Sequence, residues 1–307
     1  MIKLRQHCDC LFISPHLDDA VISCALRILQ ERRAGKTAAV ATLCSSGLGI
    51  PGLLAPYSVR RREDEAALSV LGVDDPIQLG FKDAPFRNLF YTSFQRIILG
   101  EHPNDAPYAK ELAARVAQLC KELTPETVFL PLAVGTHIDH RHTHRLWRTL
   151  SPETKIVFYE DRPYSFLPLN LQLRLTEIGA NILEPQLAET LMADRTKGLR
   201  SFSAGLKTVT MYKNVLKSKR QRFRYVLSAA RKLKSPPAEC SLKIEAELVH
   251  TNSAEEFLKI KAAVGAYKSQ ISMLFNDMDT FAEESASYNR TLAPAALYCE
   301  RYWHLIR

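Results

Sequence analysis

Two short clusters carry most of the chemistry open to this chain. One is Pro15-His16-Leu17-Asp18-Asp19 and the other is His137-Ile138-Asp139-His140. Imidazole and carboxylate are the groups that hold divalent metals and move protons near neutral pH. Hydrolytic zinc sites take three protein ligands and leave a fourth position open. His16 and Asp19, three residues apart at a strand-to-helix turn, can reach one ion, and His140 at a second strand end is the candidate third ligand. Zinc held there can bring the pKa of water to about 7 and polarise a carbonyl oxygen. Asp18, beside a ligand, suits a general base. His137 can donate to the oxyanion of a tetrahedral intermediate or protonate a leaving amine. Asp139, between the two histidines, can orient one of their imidazoles.

Either cluster alone is a weak signal, because helix N-termini often carry Asp as a cap. The argument for a metal is that both sit at the ends of apolar strands. His142 and His144 continue the second cluster and are expected on the following helix, exposed or behind the ligands rather than as ligands.

The elements that must position these residues read as alternating strand and helix. Apolar runs at 11–14, 38–43, 76–79, 127–130 and 155–159 predict strands, and 20–33, 58–71 and 106–123 predict helices. Gly35 and Gly72 close the first two helices. This alternation predicts an α/β fold with a mostly parallel sheet and helices on both faces. In such sheets reactive groups collect beyond the carboxyl ends of the strands. Both clusters lie there, and so does Glu160-Asp161. A loop carrying Gly47, Gly49, Pro51 and Gly52 can form one wall of a site. Past about residue 168 the pattern weakens: 187–202 and 253–281 read as helical, 241–249 alternates like a strand, and Pro236-Pro237 marks a break.

The whole chain sets further bounds. Its 307 residues, 46% hydrophobic and 24% charged, describe a globular protein. No apolar run reaches the ~18–20 residues that cross a bilayer. Residues 1–7 lack the apolar core of a signal peptide and lead straight into the first strand, so a cytoplasmic location is expected. The seven cysteines are scattered without C-x-x-C spacing and read as buried thiols, not as a disulfide framework or a Cys₄ zinc site. Net charge is +8, and residues 195–238 hold thirteen Lys or Arg and no Asp or Glu. That stretch reads as a solvated helical face; its functional alternative is attraction to an anionic partner. Regular stacking aromatics are lacking there, so nucleic acid is not an expected partner. Serine-hydrolase and NTPase motifs are also lacking.

These residues resemble the PIG-L/LmbE-like zinc-dependent deacetylases. The family pattern, Pro/Ala-His-x-Asp-Asp early and His-x-Asp-His near the middle, is matched by residues 15–19 and 137–140. Further likeness lies in Arg60-Arg61-Arg62-Glu63-Asp64-Glu65, in Gly80-Phe81-Lys82-Asp83, in residues 158–164, and more weakly in 267–270 and 300–303. Most members have Pro where Leu17 and Ile138 stand, positions that supply no functional side chain. The resemblance implies a Rossmann-like fold and hydrolysis of an N-acetyl group from an N-acetylglucosamine-type sugar. It implies His16, Asp19 and His140 as zinc ligands, Asp18 as base and His137 as transition-state stabiliser. It also implies substrate contacts from one arginine of the Arg-rich helix start, here assigned to Arg61, and from Asp83.

The expectation is therefore one PIG-L/LmbE-like domain over 1–307, with a core at 1–165 and a C-terminal extension at 166–307 that shapes the substrate site. The expected cofactor is zinc, and the expected partner is a small-molecule or glycoconjugate N-acetyl amino sugar, with homo-oligomerisation open. The alternatives are an amidase acting on a larger amide of a sugar or thiol conjugate, and a binding protein that uses the basic 195–238 segment.

Overall fold

The computed structural model describes residues 7–50, 54–180, 182, 203–232 and 241–307. The strands are β1 Cys10–Ser14, β2 Ala38–Thr42, β3 Ile77–Gln78, β4 Thr127–Pro131, β5 Lys155–Tyr159, β6 Ile244–Thr251 and β7 Tyr298–Leu305. They form a seven-stranded sheet in the order β3-β2-β1-β4-β5-β7-β6. The five strands from β3 to β5 are parallel; β7 runs antiparallel to β5, and β6 runs antiparallel to β7. The fold is thus mixed α/β with a mostly parallel sheet. β1 and β2 are buried along their whole length, which is why they read as unbroken apolar runs rather than alternating ones.

The chain runs outward from β1 to β2 and β3, then returns to lay β4 on the other side of β1. That reversal opens a crevice beyond the carboxyl ends of β1 and β4, the position where open α/β sheets hold their ligands. Phe12 and Phe129 stack across the two strands with centroids 4.2 Å apart, locking together the pair whose ends carry the two clusters.

Helices connect the strands: α1 Asp19–Arg33, α2 Tyr57–Val70, α3 Ala84–Arg87, α4 Phe94–Leu99, α5 Ala106–Leu123, α6 Ile138–His144 and α7 Pro168–Glu177. Later come α8 Thr210–Val215, α9 Lys219–Lys232, α10 Ala254–Gly265, α11 Lys268–Leu274 and α12 Met278–Leu292. The helical reading of 253–281 resolves into three helices. Asn276 at φ 65° stops the chain after α11, and Asp277 restarts it by accepting the N–H of Thr280 at 2.7 Å. The strand expected at 241–249 begins at Ile244 and runs on to Thr251. The readings at 187–202 and at Pro236-Pro237 lie outside the described residues. Among the described residues, no helix is long and apolar enough to cross a membrane.

β7 was not expected as a strand, because Glu300 and Arg301 interrupt its apolar pattern. The structure buries Glu300, whose carboxylate accepts the N–H groups of Leu26 and Arg27 on α1 and the hydroxyl of Tyr302. Glu160, at the end of β5, is buried as well. It accepts from the Trp303 indole at 2.9 Å and from the Tyr288 hydroxyl, and it pairs with Arg301. Polar anchors of this kind tie β7 and α12 to the same sheet and core as the first half. Of the basic segment, α9 is described; Lys219, Arg220 and Arg224 are exposed on it.

Removing one partner of a buried charged network strands the others. Glu160→Ala is therefore expected to lower unfolding free energy by on the order of 3–5 kcal/mol, with Glu160→Gln costing less. Urea denaturation of the purified variants measures both.

Candidate metal and hydrolytic site

β1 ends at Ser14, and the turn that follows is built by side chains. Ser14 Oγ donates to the His16 carbonyl at 2.6 Å and accepts the Ala20 N–H at 3.0 Å. Ser14 thereby takes an N–H at the start of α1 that an Asp cap would ordinarily satisfy. Asp18 occupies the N-cap position and makes no side-chain cap bond. Its carboxylate is left for the crevice, where Arg60 Nη2 lies 3.5 Å away. Asp19 Oδ2 accepts the backbone N–H of His16 at 2.8 Å and sits 3.0 Å from His16 Nδ1.

The second cluster enters from β4. Gly135 has φ 83°, and a Cβ there would lie 2.3 Å from the Tyr164 ring, so only glycine fits this approach. His137 caps α6, its Nδ1 accepting the Asp139 N–H at 3.2 Å. His140, one turn along, places Nε2 at 3.3 Å from Asp19 Oδ2. Ligand atoms of His16, Asp19 and His140 all lie within 4.8 Å of one another, and all three residues are buried.

Electrostatics favours positive charge at this spot. Burial opposes protonation of His140, yet Asp19 and Asp161 raise its pKa to about 9. Burial likewise opposes protonation of His16, and Asp83, Asp139 and Asp19 outweigh it. Against the upward push of burial, the two imidazoles hold Asp19 well below the usual carboxylate range. A donor set that draws protons this strongly fits a divalent cation, which would displace them. Two imidazoles and a carboxylate are the donor set of a three-ligand zinc-type site.

Asp18 and His137 are tuned in opposite senses to Asp19 and His140. Burial pushes Asp18 up to about 6, with Arg60 holding it down from higher values. Burial, His16 and His140 push His137 down to about 3. A neutral His137 whose Nδ1 accepts a backbone N–H carries its proton on Nε2, where it can donate.

The surrounding residues fall differently from expectation in three places. Asp139 does not touch the histidines on either side of it as an orienting carboxylate. Its Oδ2 lies 3.3 Å from His16 Nε2 and accepts the Ala84 N–H, while Oδ1 pairs with Arg87 at 2.7 Å. The group behind His140 is Asp161, 2.6 Å from Nδ1 and fixed by the Val134 N–H. Arg61 is not the arginine in the crevice. It is half-buried and bonds the Ser45 carbonyl, whereas Arg60 is 3% exposed and faces Asp18. The reason is helical phase: Tyr57, Arg60, Asp64 and Ala67-Leu68 share the inward face of α2, and Arg61 is turned about 100° away. That periodicity was the signal for choosing Arg60.

Asp83 lies in the crevice. Its Oδ2 accepts from the Tyr57 hydroxyl at 2.6 Å, and Oδ1 stands 3.5 Å from His16 Nε2. His142 and His144 are both buried, the first against Asp105 and the second against the Pro131 carbonyl. Among the described cysteines, Cys8, Cys10, Cys24, Cys44 and Cys299 are buried and outside any disulfide, and Cys120 is half-buried.

Residues 11–151 match the family described as PIG-L: GlcNAc-PI de-N-acetylase. The 2'-N-acetylparomamine deacetylase of Streptomyces fradiae is 31% identical over 163 residues, spanning 50% of this chain and 57% of that protein. The match therefore covers less than two thirds of the relative's length. Teicoplanin deacetylase Orf2, solved in a zinc-inhibited form, superposes with a TM-score of 0.65 at 21% identity over 97% of this chain and 98% of its own. The A40926 pseudoaglycone deacetylase Dbv21 superposes with a TM-score of 0.62 at 20% identity over 99% and 98%. At these identities the two structures speak for the fold.

Carboxylates behind metal-ligating histidines set ring orientation and basicity, and their loss typically weakens metal binding about 10–100-fold. Asp161→Ala is expected to weaken divalent-ion binding by that factor, and Arg61→Ala to leave it unchanged. Competition with a chromophoric chelator reads both affinities.

Proposed function

We propose that the protein is a metal-dependent deacetylase that removes the N-acetyl group of an amino sugar or glycoconjugate, a reading supported by the match of residues 11–151 to the PIG-L family. The observation that carries this reading is the convergence of His16, Asp19 and His140 within 4.8 Å, with Asp18 and His137 on either side.

His16, Asp19 and His140 would hold the ion, and zinc suits the donor set. Such an ion, when bound, acidifies water and polarises the acyl oxygen. Asp18 is the proton acceptor. Buried, beside Arg60 and free of any capping bond, its carboxylate can take a proton from the attacking water and return it to the departing nitrogen. His137 presents Nε2–H to the oxygen that becomes negative in the tetrahedral intermediate. Its neutral state matters, since the donor needs a fixed tautomer rather than a charge. Asp161 holds His140 in place, and Asp139 holds His16.

Substrate choice falls to the rim of the crevice. Asp83 Oδ1 is buried without a hydrogen-bond donor, its other oxygen being held by Tyr57. That oxygen suits a hydroxyl of a sugar ring. The Streptomyces relative acts, by its name, on an N-acetylated aminoglycoside precursor, and an acetamido sugar of that kind is the first substrate to try.

The test is acetate release from N-acetylglucosamine conjugates and from N-acetylated aminoglycosides, with and without a chelator. Asp18→Asn is expected to lower kcat by about 10²–10⁴-fold, the range for a lost general base, and His140→Ala to abolish both metal retention and turnover. Unchanged acetate release in either variant overturns the reading. Release of a larger acyl group in place of acetate would move the activity to another amide on the same site.

The pH profile supplies a further check. Asp18 works as its carboxylate, so kcat/KM should fall as pH drops through its pKa, at or below about 6. The Arg60 guanidinium stabilises that carboxylate, so Arg60→Met should raise the pKa and move the acid limb to higher pH. A limb that stays in place or moves down argues against Asp18 as the base.

A further inference from the structure

The end of the sheet that carries the crevice also carries the most exposed apolar side chains. Among the described residues, the three large apolar side chains with the greatest exposure are Leu48 at 89%, Leu89 at 85% and Phe223 at 67%. Leu48 lies in the connection leaving β2, next to Gly47, which abuts the Tyr57 and Phe86 rings. Leu89 lies in the connection that leaves β3 and passes through Asp83. Phe223 lies on α9, whose buried Tyr225 and Ala229 line a small cavity with Leu99, Gly135 and Thr136, just ahead of His137. β2, β3 and β4 run parallel to β1, so these connections leave the sheet at its crevice end, and α9 is packed against one of them.

α9 has two distinct faces. Tyr225 and Ala229 turn inward, and the Tyr225 hydroxyl donates to Asn170 on α7 at 3.0 Å. Phe223 and Leu227, two residues to either side of Tyr225, stand nearly opposite it and one turn apart. Both are exposed, and so are Lys219, Arg220 and Arg224 around them. Lys82 and Arg96 add exposed positive charge on the connection from β3. The described residues at 43–50, 54–56, 79–105, 132–137 and 203–231 hold a single exposed carboxylate, Glu101, and Arg141 and Arg145 pair with it. An apolar ridge flanked by lysine and arginine is the pattern of a helix that lies in a bilayer interface. The long basic side chains can keep their charge among headgroups while their stems follow the apolar residues inward.

We propose that this end of the protein docks on an anionic lipid surface, with Phe223, Leu227 and Leu89 entering the interface and Lys219, Arg220 and Arg224 meeting the headgroups. Charge complementarity selects the occupant. Each Lys or Arg near an anionic bilayer strengthens partition about fivefold, and the one exposed carboxylate on these connections is already paired. Nucleic acid would use the charge but not the aliphatic side chains, because bases stack on aromatic rings. Docking in this orientation turns the crevice mouth toward the lipid. The inference stands on surface residues and needs neither metal nor turnover, so it is independent of the deacetylase reading.

The experiment is sedimentation of the full chain with phosphatidylcholine vesicles, with and without phosphatidylserine, in the presence of a chelator. The expected result is binding that requires phosphatidylserine and weakens as salt rises. Arg220→Glu combined with Arg224→Glu should lower the affinity at least tenfold. Phe223→Ser combined with Leu89→Ser should lower it about tenfold and leave the salt dependence in place. All four residues are exposed, and unchanged urea midpoints show that the variants are folded. Equal binding to both kinds of vesicle, no binding at low salt, or full binding by either double variant overturns the proposal. So does tighter binding to a DNA duplex than to the vesicles, or self-association that Phe223→Ser abolishes while vesicles are ignored. None of these outcomes touches the deacetylase reading, which fails separately if the metal-loaded protein releases no acetate from soluble substrates.

Discussion

Carboxylates concentrated in a buried crevice are the constraint that the rest of this structure answers. A carboxylate out of water must be paired or it takes up a proton. Each of those gathered here is met differently. Asp19 faces two imidazoles, Asp161 a ring nitrogen and a backbone N–H, Asp139 an arginine and a helix N-terminal N–H, and Asp83 a tyrosine hydroxyl. Asp18 is the least compensated. It has one guanidinium at 3.5 Å, and its pKa rises where the pKa of Asp19 falls. Adjacent residues of one type are thus tuned in opposite senses by their environment, the kind of division that lets paired carboxylates take different roles near neutral pH.

The fold makes that division possible by sending the two residues in different directions. Asp19 lies in the first turn of α1 and folds back onto the His16 backbone, while Asp18, still extended at φ −173°, projects toward α2. Ser14 relieves both of capping duty. The same logic extends outward. Arg60 is held over Asp18 by the face of α2 that also carries Asp64, which the Tyr267 hydroxyl from the C-terminal half meets at 2.6 Å. The packing of residues 254–274 against α2 therefore bears on Asp18 from two layers away.

What the sequence made legible follows from locality. His16, Asp18, Asp19, His137 and His140 each sit at the end of a strand whose apolar run is plain, so their meeting could be argued from sheet topology. Contacts that depend on side-chain direction were less open. Three successive arginines offer no order by type, and choosing Arg60 over Arg61 needed the phase of Tyr57 and Asp64 on the same helix. Asp139 was read from its neighbours in sequence, yet a residue on a first helical turn meets what stands across the crevice, here His16 and Arg87. β7 was hidden because its buried Glu300 and partly buried Arg301 look like surface residues until their partners on α1 and β5 are known.

The crowding that gives the site its strength also makes it ambiguous. His16 meets carboxylates at both ring nitrogens, Asp19 at Nδ1 and Asp139 and Asp83 at Nε2, and the latter two have chemistry suited to a sugar hydroxyl, an ammonium or a metal. Arg87 settles part of this. Its guanidinium stacks at 3.8 Å from the centroid of Tyr108 and pairs with Asp139, so that carboxylate is committed to holding His16. Asp83 has no such counter-cation within reach except His16 itself. That leaves one oxygen of Asp83 buried without a hydrogen-bond donor. The Tyr57 hydroxyl fixes the other oxygen and so aims the free one at the space beside His16.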